Sequence, residues 1–169
     1  MSNGIRKTVF KWIMVAVSIA LFGCGDQSRK DAEIYQEGVT AYEKGDFSAA
    51  LEKFKPVAEH GHVQAEYYVG IMYLKGQGIT KNEKDAGIWL GKAAERGHAD
   101  AQENLGLIYA KGLGVERDWV QAAKWFSIAA ASGKETAANN KKVIEVHMPP
   151  EKVAEANTLA QEWLAQHKK

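Results

Sequence analysis

Apolar and polar positions follow two different rhythms along this chain. From Trp12 to Phe22 the residues form an almost unbroken apolar run. Downstream the apolar residues are spaced instead: Val69 and Tyr73, then Trp89, Ala93 and Ala94, fall at intervals of three and four. That spacing puts them on one face of an α-helix. The pattern predicts two amphipathic helices separated by Gly76-Gln77-Gly78-Ile79, where glycine suits a tight turn because it adopts positive φ without a Cβ clash. Asp118 stands where it can cap the start of a later helix.

The same helix pair recurs. Ala65, Gly70, Tyr73, Gly76, Gly78, Ala86, Trp89, Ala94 and Gly97 return as Ala101, Gly106, Tyr109, Gly112, Gly114, Ala122, Trp125, Ala130 and Gly133, always 36 positions on. Upstream, Ala50, Ala58 and Gly61 keep that offset from Ala86, Ala94 and Gly97, whereas Gly38 precedes Gly70 by only 32, so the first unit has a linker shorter by four. A fixed period of this length is the mark of a solenoid, against which an ordinary helical bundle with accidental similarity is the alternative. The units read as 31–62, 63–98 and 99–134, followed by C-terminal capping helices over 135–169. Small residues at Gly70, Gly106, Ala86 and Ala122 predict close helix approach. Pro149 and Pro150 open a last helix whose Val153, Ala156, Ala160, Trp163 and Leu164 form one apolar stripe, suited to covering the exposed end of a repeat stack.

These residues resemble the Sel-one-like repeat (SLR) branch of the tetratricopeptide superfamily: Ala65-x4-Gly70-x2-Tyr73-x2-Gly76-x-Gly78, then Ala86-x2-Trp89-x3-Ala93-Ala94-x2-Gly97, both repeated in the third unit. The first unit, with its direct turn at Gly45-Asp46, is similar to a plain tetratricopeptide repeat. The resemblance covers about residues 31–137 and implies an all-α, right-handed superhelical solenoid of stacked helix pairs with a C-terminal capping helix. It also implies that the first helix of each unit lines a concave face meeting partner peptides. Carried over, that face contains Tyr35, Tyr42, Tyr67, Tyr68, Glu103, Asn104, Asn139 and Asn140. Tyrosine offers large buriable area and a hydroxyl, as binding hot spots do, and asparagine amides bond peptide backbone. The competing reading is that some of these tyrosines pack between helices, as Tyr73 and Tyr109 do by position.

The 169 residues are 46% hydrophobic and 25% charged, the ordinary globular range. The N-terminus adds an address: Arg6, Lys7 and Lys11, the apolar run, then Gly23-Cys24. The run rises about 16 Å as a helix, well short of the roughly 30 Å hydrocarbon core, so residues 1–23 read as a signal peptide rather than a permanent span. Leu21-Phe22-Gly23-Cys24 resembles a bacterial lipobox, with Phe22 where a smaller residue is usual. That resemblance implies lipidation of Cys24, a membrane anchor through it, and a polar tether over 24–30. Cleavage after Ala20, or an unremarkable leader cysteine, are the alternatives. Gly25 rather than aspartate after the cysteine favours the outer membrane, facing the periplasm. Taking the three leader cations from 22 basic residues leaves the remainder at about −2 against 21 acidic ones, a balance that excludes a nucleic-acid footprint.

Candidate chemistry changes little. One cysteine excludes an internal disulfide framework. No serine heads S-x-x-K or sits in G-x-S-x-G, and the paired loop glycines lack a phosphate-loop Lys-Ser/Thr. His62 and His98, about 10 Å apart if units stack normally, with His60 nearby, allow a metal reading to be stated. Exposed turn histidines are the plainer one, and no metal or cofactor is expected. The expectation is a non-enzymatic scaffold or adaptor that binds protein, tethered to the cell envelope. The alternatives are a repeat-family hydrolase or penicillin-binding protein, β-lactamase-like, whose relatives carry a cysteine pair per repeat that this chain lacks, or a surface-exposed factor for host or cell-wall interaction.

Overall fold

A computed structural model describes residues 26–167. Within them the chain forms eight helices: α1 over 26–43, α2 Phe47–Glu59, α3 Val63–Lys75, α4 Glu83–Glu95, α5 Ala99–Lys111, α6 Trp119–Ala131, α7 Glu135–Glu145 and α8 Pro150–Gln166. From α2 to α7 each helix packs on the next in the chain, and α8 folds back onto α6. The unit boundaries follow the period: α3 with α4, and α5 with α6, are the two full repeats. Cys24 and the leader lie outside the described residues. The stretch read as a tether is helical over 26–30, where Asp26 pairs with Lys30 and Gln27 donates to Asp31 at helical spacing.

Each second helix starts on a side-chain cap. Asp46, Asn82 and Asp118 accept from backbone N–H groups at the starts of α2, α4 and α6, and they stand 36 residues apart. Asn82 takes two such donors and the aspartates one each, N–H groups that would otherwise lack a partner in the helix.

Within a unit the two helices touch at a glycine. A methyl added to Gly70 would stand 2.7 Å from the Leu90 side chain, and one added to Gly106 would stand 2.6 Å from the Phe126 ring. Gly38 meets Phe54 in the same way across the shorter linker. The aromatic or leucine thus takes the space that a Cβ would need, which brings the helix axes together and buries Phe54, Leu90 and Phe126 fully.

The loop glycines act between units as well as within them. Gly78 has φ 69° and lies against the backbone of Phe47 and Ser48 at the start of α2; Gly114, at the same φ, lies against Glu83 and Lys84 at the start of α4. Only glycine supplies both the left-handed conformation and the bare Cα that this backbone-to-backbone contact requires.

The two repeat tryptophans differ. Trp125 is 3% exposed, in a core with Leu90, Leu105, Ile108 and Ile128, whereas Trp89 is half-buried under the Lys92 ammonium, 3.9 Å from the ring centroid. Helix α8 caps the stack along α6. Ala156 and Val153 pack with Ala123 and Trp119, and further along Trp163 meets Trp125 edge-to-face at 6.0 Å. The Trp163 indole N–H reaches Glu95 in α4 at 2.7 Å. Because α8 lies on α6, Val143 of α7 and Val146 just after it stay 63% and 77% exposed.

Candidate functional site

The first helices α1, α3, α5 and α7 carry the residues expected to meet a partner, and the period arranges them in columns. Tyr35, Tyr67, Glu103 and Asn139 form one column; Gln36, Tyr68, Asn104 and Asn140 form the next. The surface is therefore aromatic in the first two units and polar in the last two.

At the aromatic end the rings brace one another. Tyr68 stacks on the buried Phe54 ring at 4.7 Å, and Tyr42 meets Tyr68 edge-to-face at 5.1 Å. The Tyr42 hydroxyl donates to Gln77 Oε1 at 3.0 Å, tying α1 to the loop of the next unit. All four tyrosines are half-buried. Burial pushes the phenols of Tyr35 and Tyr42 up, and burial with the Asp100 charge pushes Tyr67 up to about 12. These hydroxyls stay protonated near neutrality and act as uncharged donors.

The histidines have a role that composition did not reveal. His62 and His98 are the N-caps of α3 and α5: each Nδ1 accepts from a backbone N–H, of Ala65 and Ala101 respectively, at 3.3 Å. A tyrosine from the preceding first helix stacks on each ring, Tyr35 on His62 at 4.4 Å and Tyr67 on His98 at 4.5 Å. They are half-buried caps rather than exposed turn residues. Burial holds both below the usual histidine range, which favours the neutral tautomer whose Nδ1 can accept. His60 instead bonds both Asp31 carboxylate oxygens at 3.0 Å. Burial by itself raises the Asp31 carboxyl, but its bonds to His60 and Gln27 bring it net below the usual range. Among the described residues no group of three or more His, Cys, Asp or Glu side chains is placed to hold a metal.

At the third such position stands Lys134, with no side-chain cap bond. Its ammonium pairs with Asp100, with Glu103 adding attraction. The aromatic–histidine stack of the first two units is thus replaced by a charged cluster. Asn104 spends one of its two amide N–H donors on the Asp100 carbonyl at 2.7 Å within its own helix, which leaves the other N–H and the carbonyl oxygen for a partner. Asn140 is half-buried and Asn139 exposed. The structure thus brings the four tyrosines into one braced cluster and leaves the asparagines spread along α5 and α7.

Helix pairs stacked at a constant period, glycine-bracketed loops and a side-packed terminal helix define an α-solenoid repeat protein. Two of its units are Sel1 repeats: the Sel1 repeat model matches residues 63–98 and 99–134. Among solved structures, the chain is 32% identical to a protective antigen present in uropathogenic Escherichia coli that displays an SLR fold, with a TM-score of 0.76 over 81% of this chain and 30% of that one. It is 29% identical to a Sel1 repeat protein from Oxalobacter formigenes, with a TM-score of 0.63 over 77% of this chain and 54% of that one. Cysteine-rich protein B of Helicobacter pylori shares the fold at 21% identity and a TM-score of 0.52. The chain therefore spans under a third of the first of these proteins and about half of the second. No curated protein matches it.

Proposed function

We propose that this chain is a non-enzymatic scaffold that binds a segment of another protein across its first helices, with the tyrosine cluster of α1 and α3 as the anchor. One observation carries the reading: Tyr35, Tyr42, Tyr67 and Tyr68 are each only partly buried while their rings are held, Tyr68, Tyr35 and Tyr67 by stacking on Phe54, His62 and His98 and Tyr42 edge-to-face by Tyr68. Rings already fixed lose little rotamer freedom on binding, so more of their contact energy reaches the complex. The polar ends of the two columns, Glu103, Asn139 and Asn140, would then take the hydrophilic end of the same segment.

The order of basic residues, apolar run and Gly23-Cys24 supports a lipid anchor on Cys24 and a place in the bacterial envelope, on the periplasmic face of the outer membrane. A second reading is display at the cell surface, which the likeness to a protective antigen favours. Shaving of intact cells by protease separates the two.

The binding reading is tested by placing a photoreactive residue at Tyr67 or Asn104 in the native cell and identifying adducts by mass spectrometry. Capture of one discrete protein from these positions, and not from Lys55 on α2, is the expected result. Adducts only to lipid or peptidoglycan would sink it. For the captured partner, Tyr67→Ala should weaken binding by about 2 kcal/mol, a hot-spot effect.

A further inference from the structure

Between the C-terminal ends of α2 and α4, above the start of α3, lies a cavity of about 490 Å³ lined by Glu59, Glu66, Gly91, Lys92, Glu95 and Arg96 among others. None of the tyrosines lines it. Its floor holds an anomaly: Glu66 is 2% exposed, and its Oε2 has no hydrogen-bond partner. A buried carboxylate oxygen without a donor is costly.

The two cations in the cavity wall are engaged elsewhere. The Arg96 guanidinium donates from Nη1 to the Gly61 carbonyl at 2.5 Å, leaving its Nε 3.9 Å from Glu66 Oε2, beyond a hydrogen bond. The Lys92 ammonium lies over the Trp89 ring. Both attract Glu66 through space, but burial outweighs them and the carboxyl stands above its usual range.

The internal repeat supplies two comparisons. One unit on, Gln102 replaces Glu66 and donates its amide to the buried Ala94 carbonyl at 3.1 Å, a bond an ionised carboxylate cannot make; its Oε1 is also without a partner, but it is a neutral amide oxygen and not a charged one. Also one unit on, Glu95 replaces Glu59, and there an N–H donor is already seated: the Trp163 indole. The chain thus fills the later groove with its own terminal helix, whereas in the earlier groove Gly91 leaves open space, since a methyl there would meet nothing within 4 Å.

We propose that the cavity between α2 and α4 is a binding site for a cationic N–H donor, the guanidinium or primary ammonium of a partner's arginine or lysine side chain, with Glu66 as its acceptor and Glu59 at the rim. The charge-assisted bond to Glu66 Oε2 supplies the missing donor, and Gly91 leaves room for the aliphatic stem. The site is separate from the tyrosine cluster and does not depend on that cluster's role.

The test is an NMR titration of the ¹⁵N-labelled full chain in detergent micelles, at constant ionic strength, with methylguanidinium and with n-butylammonium. Tetramethylammonium, which carries charge but no N–H, is the control. Saturable shifts at the Gly61, Glu66 and Arg96 signals are expected with one or both donors and not with the control. Glu66→Gln, whose shape Gln102 shows the fold accepts, should weaken binding by about tenfold or more. Gly91→Leu, which occupies the cavity and leaves the carboxylate in place, should abolish saturation. Shifts that grow without saturating, equal shifts with tetramethylammonium, or unchanged affinity in either variant would overturn the site.

Discussion

The indole of Trp163 donates to the carboxylate of Glu95 across 68 positions of sequence, at 2.7 Å. This bond ties the last helix of the chain to the second helix of the middle unit, skipping over α6. It makes α8 an integral part of the stack, because the same ring also packs on Trp125 and is covered by His167 at 3.9 Å.

Replacing that tryptophan separates the bond from the packing. Trp163→Phe should cost about 1 kcal/mol for the lost hydrogen bond. Trp163→Ala should cost about 3–5 kcal/mol, since the ring is buried. Urea unfolding followed by circular dichroism measures both: a Trp163→Phe loss near zero would mean that the indole N–H contributes nothing beyond its ring, and near-equal losses would mean that the ring contributes nothing beyond its N–H.

The two tryptophans 36 residues apart should respond unequally. Trp125→Ala removes a ring at 3% exposure and should cost about 3–5 kcal/mol. Trp89→Ala removes a half-buried ring and its contact with the Lys92 ammonium, and should cost clearly less. Equal midpoint shifts in paired denaturation curves would contradict the difference in packing.

Gly106→Ala places a methyl against the Phe126 ring, so the two helices must part or the ring must leave its rotamer; overpacking of this kind costs about 1–3 kcal/mol. Gly97→Ala is the comparison, since it meets no neighbour and carries only the strain of a φ of 87°. Thermal unfolding of both variants tells steric crowding from backbone strain.

Acidification should loosen the solenoid through His62 and His98. Both are held below the usual histidine range in the folded chain, so their contribution is fully present above the unfolded value of about 6.5. It is lost as pH falls from there through the folded values, because the unfolded chain binds the proton first. The double variant His62→Asn, His98→Asn keeps a capping side chain without a titrating ring. Its stability should vary less between pH 7 and pH 5 than that of the parent, as guanidinium midpoints at each pH would show.

Much of this architecture is legible from spacing alone. A constant offset of 36 locates the loop glycines, Trp89 and Trp125, and the shorter first linker, because each is a local requirement repeated in register. Helix α8 was legible as a cap from its apolar stripe, but not its path. Where Trp163 lands depends on Glu95 and Trp125, two residues on different helices that only the folded stack brings together. The histidine caps were missed for another reason. Histidine is not among the usual capping residues, so its presence before Val63 and Ala99 suggested metal or solvent. The repeated acceptors Asp46, Asn82 and Asp118 would have marked the second helices, and His62, His98 and Lys134 stand at the matching offset before the first ones. The tyrosines were placed on the right helices, but their bracing by Phe54 and two imidazoles is long-range.

Backbone of one unit rests on backbone of the unit before it at Gly78 against Phe47 and at Gly114 against Glu83. The outward side chains of the first helices take no part in that contact, so it acts as a ruler whose graduations are independent of what the outer faces carry. The first helices are thereby released to differ, tyrosine in one unit and asparagine in another, without altering the pitch at which they are displayed. A unit exchanged for another with the same loop should therefore keep step with its neighbours while presenting a different surface.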